Sequence, residues 1–168
     1  MDIFFTQRYE YTLNEDADAA TARLFSAIPV SGLRGTVLAE NGFRLGHPFK
    51  MIPFLPGWTH LAYLSGSVDH LLPKRLPPLE PDGDPVYVSR AVIEIRIRPN
   101  LFFVILTYCA TLLLGLDLLG IELFWRSNYL LRLAVVTGVE VGCIWVMLSA
   151  CAGLKKRFDK ALLSVLST

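Results

Sequence analysis

The sequence lacks the short motifs that mark the commonest catalytic sites. It contains no glycine-rich phosphate loop, no HExxH pair for zinc and no GxSxG nucleophile turn. Only three cysteines and three histidines are present among the 168 residues, and neither set has the spacing of metal ligands or of a disulfide framework. The sequence therefore predicts a protein without catalytic activity, cofactor or metal.

An excess of charge of one sign is also missing. The 16 basic and 15 acidic residues leave a net charge of +1, so bulk charge gives no reason to expect nucleic acid binding. Apolar residues are what the chain has in abundance, since 53% of it is hydrophobic and its mean hydropathy is +0.46. These values are typical of a membrane protein.

Two apolar runs, 101–124 and 133–154, contain much of this hydrophobicity. An apolar run of about 18 residues or more is long enough to cross the hydrocarbon of a bilayer. The second run is weaker because Glu140 lies among its apolar residues, and we expect it to insert best when packed on the first. We predict a transmembrane hairpin over residues 100–154. The alternative is a single span followed by a buried helix of a soluble domain.

Basic residues flank the open ends of this hairpin and are sparse in its turn. Because basic flanks stay in the cytoplasm, both termini are predicted to be cytoplasmic and the turn at 125–129 to lie outside. The flanking residues predicted to meet lipid headgroups are Arg96, Arg98, Lys155, Lys156 and Arg157.

The residues before the hairpin predict a cytoplasmic α+β domain over 1–99. Period-two alternation indicates strands over 3–13 and 86–98, and a further pairing strand is predicted over 61–68. A helical spacing of apolar residues indicates an amphipathic helix after the first strand. The dipeptide Asn41-Gly42 predicts a hairpin with a type I′ turn. The predicted fold is thus a small antiparallel sheet with one amphipathic helix, followed by the transmembrane hairpin.

A further amphipathic helix is predicted over residues 155–168. Its apolar residues recur at the spacing of one helix face, after a basic stretch that follows the second span. This helix could lie on the inner leaflet with its basic residues at the headgroups. It could equally continue the second span and pack on the cytoplasmic domain.

Charged residues inside a span are costly, and each is a candidate for function. With the turn centred on residues 127–128, Glu122 and Arg132 lie at one depth, which predicts an ion pair near the outer interface. Asp117 and Glu140 then lie at a similar depth without a basic partner. If they face each other, at least one of the two carboxyls should be protonated, because like charges in a low dielectric raise a carboxyl pKa.

Two interpretations of these acids remain open. They could form a proton or cation site in an oligomer. They could instead be polar contacts between helices or between subunits, with Thr111 or Thr137 as hydrogen-bond partners. The second is favoured because two spans alone do not enclose a pathway.

Small residues form a stripe along the second span, at Ala134, Gly138 and Gly142. Such stripes allow helix backbones to approach closely. The stripe could pack on the first span or on a second subunit.

A proline-containing segment between residues 47 and 58 is unusually apolar for a loop. It is a candidate for contact with a protein partner or with the membrane, although core packing beneath the sheet would explain it as well. The residues concerned are Phe49, Ile52, Phe54, Leu55 and Trp58.

Short motifs spread along the chain resemble a group of small uncharacterised bacterial two-span membrane proteins. The resemblance implies a bacterial inner-membrane protein with an N-terminal cytoplasmic α+β domain, and it brings no activity or functional residue with it. The residues that carry it are Leu33-x-Gly35-x-Val37, Phe43-x-Leu45, Gly66-x-Val68 and Ile93-x-Ile95-x-Ile97-Arg98-Pro99.

Taken together, these features predict a membrane anchor that carries a cytoplasmic interaction domain. Its partners would be the lipid bilayer, another protein or a second copy of the chain. The alternative is a small oligomeric transporter or channel that uses the intramembrane acids. A membrane-bound enzyme is least favoured, because the domain has few clustered polar groups.

Overall fold

The computed structural model describes residues 5–30, 32–38, 41–46, 60–76, 86–119 and 129–166. Within these ranges the chain has an α+β fold with one five-stranded antiparallel sheet and three helices, two of them long and apolar. In chain order the elements are β1 (Gln7–Leu13), α1 (Ala17–Val30), β2 (Arg34–Val37), β3 (Gly42–Gly46), β4 (Ala62–Leu76), β5 (Val86–Pro99), α2 (Leu101–Leu118) and α3 (Tyr129–Leu166).

The strands are arranged in the order β1-β5-β4-β3-β2, and every neighbouring pair is antiparallel. The first strand of the chain is therefore next to the last. The hairpin between β2 and β3 is where the sequence predicts it. The predicted type I′ turn centred on Asn41-Gly42 is not observed, because Asn41 has a positive φ of 60° but Gly42 does not and already begins β3.

One face of the sheet is covered by α1 and by the C-terminal part of α3. The ring of Phe158 is fully buried there, stacked on Phe43 with the ring centres 5.8 Å apart. Gly66 of β4 makes room for this contact, since a Cβ atom at that position would lie 2.6 Å from the Phe43 ring. The sheet domain therefore includes residues of α3 in its core.

Helix α3 continues without a break from Tyr129 to Leu166. The sequence predicted a span that ends at 154 and a separate amphipathic helix over 155–168. Instead, Ala150, Cys151 and Leu154 are buried in the same core cluster as the sheet. Of the two alternatives for the C-terminal helix, continuation and contact with the domain is the one observed. The predicted span was extended to 154 because the residues at its end, which are buried in the domain core, are as apolar as residues that face lipid.

Asn100 joins the sheet to α2. Its side-chain oxygen accepts a hydrogen bond from the backbone N–H of Phe102 and caps the helix, while its Nδ2 donates to the carbonyl of His60 at 2.7 Å. Its own backbone N–H donates to the carbonyl of Leu61. The start of α2 is therefore fixed to the start of β4, and no free linker separates domain and hairpin.

Helix α2 and residues 129–147 of α3 pack side by side, with Phe103 and Val104 against Cys143 and Met147. Both helices are long and apolar enough to cross a membrane. A core helix of a soluble protein would be mostly buried. Here only 22% of the apolar window in α2 and 17% of that in α3 is buried inside the protein.

Candidate functional site

The most enclosed charged contact of the hairpin joins Asp117 of α2 to Arg132 of α3. The Arg132 Nε lies 3.0 Å from each carboxylate oxygen, and the two side chains are only 10% and 8% exposed. The guanidinium also lies 5.9 Å from the ring centre of Tyr129. This ion pair ties the end of α2 to the first turn of α3 and neutralises both charges.

The prediction that Asp117 has no basic partner is therefore wrong. Arg132, which was expected to pair with Glu122, contacts Asp117 among the residues that the structure describes. Glu122 itself lies outside those residues, so its predicted ion pair stays a prediction. What the sequence could not provide was the length of the connection between the two helices.

Glu140 is the other carboxyl in the described part of the hairpin, and its contact is with a threonine. The Thr111 hydroxyl lies 2.7 Å from a carboxyl oxygen of Glu140 and 3.0 Å from the carbonyl oxygen of Thr107. Thr107 in turn donates to the carbonyl of Phe103. Of the two threonines proposed as partners, Thr111 is the one in contact, so Glu140 ends a short run of hydroxyl groups along α2.

The two acids do not face each other. Asp117 is level with Arg132 and Glu140 is level with Thr111, which is six residues closer to the start of α2. At about 1.5 Å per residue this separates the acids by roughly 9 Å along the helix axis. The paired residues are spaced evenly in sequence about positions 124–126, whereas the prediction assumed 127–128, which is why the predicted depths were wrong.

The stripe of small residues faces away from α2. Ala134, Gly138 and Gly142 are all exposed, and a Cβ atom added at either glycine would meet nothing within 4 Å. Contact with the first span, one of the two alternatives for this stripe, is therefore not what the described residues show. Contact with a second subunit stays a prediction.

The residues predicted to meet lipid headgroups fall into two groups. Arg96 and Arg98 are exposed on the face of the sheet opposite the helices, and Lys156 and Arg157 are exposed on α3. Lys155 is different, because its Nζ donates to Asp159 at 2.6 Å. Lys155 therefore has a partner within the protein and is not a free headgroup ligand.

Lys155 belongs to a polar cluster that fastens α3 to the edge strand β1. Tyr11 donates a hydrogen bond of 2.6 Å to Asp159, and the Lys155 ammonium lies 4.8 Å from the ring centre of Tyr9. Burial, together with the hydrogen bond to Asp159, raises the pKa of Tyr11 to about 12. The hydrogen bond to Asp159 likewise raises the pKa of Lys155.

The predicted contact segment lies outside the described residues, so the proposed roles of Phe49, Ile52, Phe54, Leu55 and Trp58 stay predictions. The flanking residues are described, and both lie at the end of the sheet nearest α2. Gly46 is the last residue of β3, opposite Tyr63 of β4, and His60 accepts the hydrogen bond from Asn100.

The residues that join distant parts of the chain have little local signal in the sequence. Asp159 follows Lys155 by four residues, a spacing that predicts an ion pair on a helix. Nothing local indicates that Tyr11 completes the cluster. Arg8 was also missed, although the alternation of β1 places it on the exposed face of the sheet.

The described residues contain no group of three or more His, Cys, Asp or Glu side chains placed to hold a metal ion. The cysteines described, Cys109, Cys143 and Cys151, are free thiols. The contacts of the hairpin can therefore cross-link helices and neutralise charge. Comparison with known proteins found no family model, no curated protein and no solved structure that matches this chain.

Proposed function

We propose that the chain is a membrane-anchored interaction protein without catalytic activity. In this proposal α2 and residues 129–147 of α3 cross a bacterial inner membrane. The sheet, α1 and the rest of α3 form a domain at the cytoplasmic surface, where both termini lie. The domain presents its uncovered surface to a partner, and the hairpin keeps it next to the bilayer.

One observation carries the membrane part of the proposal: side-chain polarity along α3 is inverted halfway. In residues 129–146 the charged side chains of Arg132 and Glu140 face α2, while large apolar side chains face outward. In residues 150–162 the large apolar side chains of Leu154, Phe158 and Leu162 face the core. The charged side chains of Lys156, Arg157 and Lys160 face outward there. Apolar side chains outward and charges inward is the arrangement expected in lipid.

The outward side chains would be costly in water. Covering one large apolar side chain contributes about 1.5–3 kcal/mol relative to leaving it exposed. Lipid removes this cost without any second protein surface. The large side chains of the two helices that are at least 45% exposed include Leu101, Ile105, Leu112, Leu130, Val141 and Trp145.

The distribution of basic residues supports the cytoplasmic position of the domain. Arg96 and Arg98 precede α2, and the basic stretch of α3 lies in the domain as well. On the opposite side, Arg132 is neutralised by Asp117 and adds little free positive charge to the turn. The positive-inside rule therefore favours a cytoplasmic sheet domain.

The transporter alternative has less support. It needs two acids at one depth, whereas Asp117 is held by Arg132 and Glu140 lies about six residues away along the helices. Thr111, level with Glu140, is ten residues after the first residue of α2, which is about 15 Å and close to the middle of a 30 Å hydrocarbon core. A single carboxyl with a threonine partner fits a polar contact between helices.

Single-cysteine variants test the anchoring and the orientation together. In a chain whose three native cysteines are replaced by alanine, Ser127→Cys in the turn should react with a membrane-impermeant maleimide added to intact cells. Ser67→Cys in β4 should react only after the membrane is opened. Extraction of the chain by alkaline carbonate would contradict the anchor, and the reverse labelling pattern would contradict the orientation.

A further inference from the structure

The face of the sheet opposite α1 and α3 carries its charges in rows that cross the strands. Alternation along β1, β4 and β5 directs every second side chain to this face, and the ladder registers place these side chains next to one another. None of the helices in the described part of the chain covers it. Its exposed charged side chains include Arg8, Glu10, Arg44, Glu94, Arg96 and Arg98.

One row is basic. Arg8 lies directly opposite Arg96 in the β1–β5 ladder, and Ser65 of β4 lies on the other side of Arg96. Arg44 of β3 comes next, opposite Ser65, with its guanidinium 5.4 Å from the ring centre of Tyr63. Like charges placed directly opposite on neighbouring strands repel each other. Neither Arg8 nor Arg96 forms an ion pair with another described residue.

The adjacent row is acidic. Glu10 lies directly opposite Glu94, and Ser67 follows on β4. The four residues of these two opposed pairs could have formed two Arg–Glu pairs in a different register or order. Instead, Arg lies opposite Arg in one row and Glu lies opposite Glu in the other. Neither row is stabilised by this arrangement, and the charged groups of both rows are available to a partner.

The two rows differ in their distance from the hairpin. Strand β5 runs through Pro99 into α2, so Arg96 precedes the first residue of α2 by five residues and Glu94 precedes it by seven. At about 3.3 Å per residue these distances are roughly 17 and 23 Å along the chain, with Arg98 closer at roughly 10 Å. The basic row is therefore on the hairpin side of the acidic row.

A second copy of the chain in the same bilayer does not fit this face. Two copies related by a twofold axis along the membrane normal keep every residue at its own depth. The basic row would then meet the basic row of the other copy, and the acidic row would meet the acidic row. The face fits an occupant with negative charge at the level of Arg8 and Arg96.

We propose that the basic row binds anionic phospholipid headgroups of the bilayer in which the hairpin is anchored. This rests on the proposed function, because it places the hairpin side of the sheet at a membrane surface. Guanidinium groups form paired hydrogen bonds with phosphate oxygens. Shallow cavities of 290 and 220 Å³ lie on the two sides of Arg96 and extend across both rows. The first is lined by Arg8 and Arg96 together with Glu10 and Glu94, and the second by Arg96, Ser65, Ser67 and Glu94, so a phosphate would be held at the basic end of each.

The acidic row restricts how the headgroups are bound. Glu10 and Glu94 repel the same phosphates that Arg8 and Arg96 attract, and surface potentials fall off within about 8 Å at physiological ionic strength. The sheet therefore binds the bilayer at its hairpin end and cannot lie flat on it. This orientation keeps the far end of β4 and β5 accessible from the cytoplasm.

Native mass spectrometry of the full chain in detergent, titrated with phosphatidylglycerol or phosphatidylcholine, measures this binding directly. The unmodified chain should prefer phosphatidylglycerol. The variant Arg8→Gln/Arg96→Gln should bind it about 30-fold more weakly, because each basic side chain near an anionic surface contributes about five-fold. The variant Glu10→Gln/Glu94→Gln should bind it more tightly.

The matched control is Lys74→Gln/Lys160→Gln, which removes the same charge from exposed sites away from the basic row and should leave the affinity unchanged. Equal weakening by both double variants would overturn the proposal in favour of general charge attraction. Displacement of the lipid by an excess of inorganic phosphate would identify a site for free anions instead. A chain that labels as membrane-inserted but shows no lipid preference would leave the proposed function intact and refute this site.

Discussion

Helix α3 is continuous, but its two halves place their charged side chains differently. Residues 129–146 are called the upper half and residues 147–166 the lower half. In residues 129–146, Trp145 is 69% exposed and the charged side chains of Arg132 and Glu140 lie towards α2. In residues 147–166, Phe158 is fully buried and the charged side chains of Lys156, Arg157 and Lys160 lie outward. Both halves are rich in apolar residues, although the first contains two charged residues and the second contains five. The direction of the charged side chains also differs, and it indicates a different surrounding for each half.

The largest change in stability is expected from shortening a buried side chain in the lower half of α3. Phe158→Ala should lower the free energy of unfolding of the sheet domain by about 3–5 kcal/mol, because it leaves a cavity against Phe43 and Tyr11. Trp145→Ala, in the upper half, should leave the domain unchanged. Denaturant unfolding followed by near-UV circular dichroism measures both, and equal losses would mean that the two halves share one core.

A smaller effect is expected in the upper half from breaking the ion pair. Asp117→Asn should destabilise the contact between α2 and α3 by about 3 kcal/mol, since Arg132 keeps its charge and loses its counterion. Glu140→Gln is the matched change, and should cost less than about 1 kcal/mol because the amide can still bond to Thr111. Unfolding in mixed micelles with increasing dodecyl sulfate compares them. A larger loss for Glu140→Gln would favour a role for that residue beyond helix contact.

The polar cluster between β1 and the lower half of α3 makes the stability of the fold depend on pH. The pKa of Tyr11 is raised from 10.0 in the unfolded chain to about 12 in the fold, so the folded state holds this proton more tightly. Stability from this group is complete below pH 10 and is lost as the pH rises from 10 to 12. The raised pKa of Lys155 acts in the same direction.

Tyr11→Phe removes the hydrogen bond to Asp159 and should cost about 1 kcal/mol at neutral pH. It should also flatten the fall in thermal stability between pH 10 and 12. Tyr87→Phe, at an exposed position of β5, is the control. An unchanged pH profile in the Tyr11 variant would mean that other groups cause the alkaline loss.

The smallest effect on the single chain is expected at the small-residue stripe. Gly138→Leu adds a side chain where nothing lies within 4 Å, so the stability of the hairpin should change by less than about 0.5 kcal/mol. Light scattering of the purified protein then isolates the role of the stripe between subunits. A dimer that this variant dissociates would place the stripe at a subunit contact, and a monomer in both cases would leave it facing lipid.

The elements with local periodicity were predictable from the sequence. Alternation fixed which side chains of β1 and β5 face the core, and Ile93 and Ile95 are buried as expected. The order of the strands was not predictable, because β1 pairs with a strand about eighty residues later in the chain. The opposition of Arg8 and Arg96 depends on that pairing and has no local signal.

The candidate site was predictable in part. The residue types that would be costly in lipid, Asp117, Arg132 and Glu140, stand out in any apolar run. Which of them pair depends on where the turn is centred, and an error of two or three residues changes the helix face by 200–300° at about 100° per residue. The end of the second span was equally uncertain, because a domain core and a bilayer both select apolar side chains at Cys151 and Leu154.

The unbroken course of α3 makes the hairpin and the domain mechanically one object. The 38 residues of α3 form a helix about 57 Å long. In the proposed arrangement the membrane surrounds its first half, and its second half packs on the sheet. Apolar spans respond to a thinner or thicker bilayer by tilting. When the half of α3 in the membrane tilts, the sheet tilts with it by the same angle. The thickness of the bilayer therefore sets the angle at which Arg8 and Arg96 meet the headgroups.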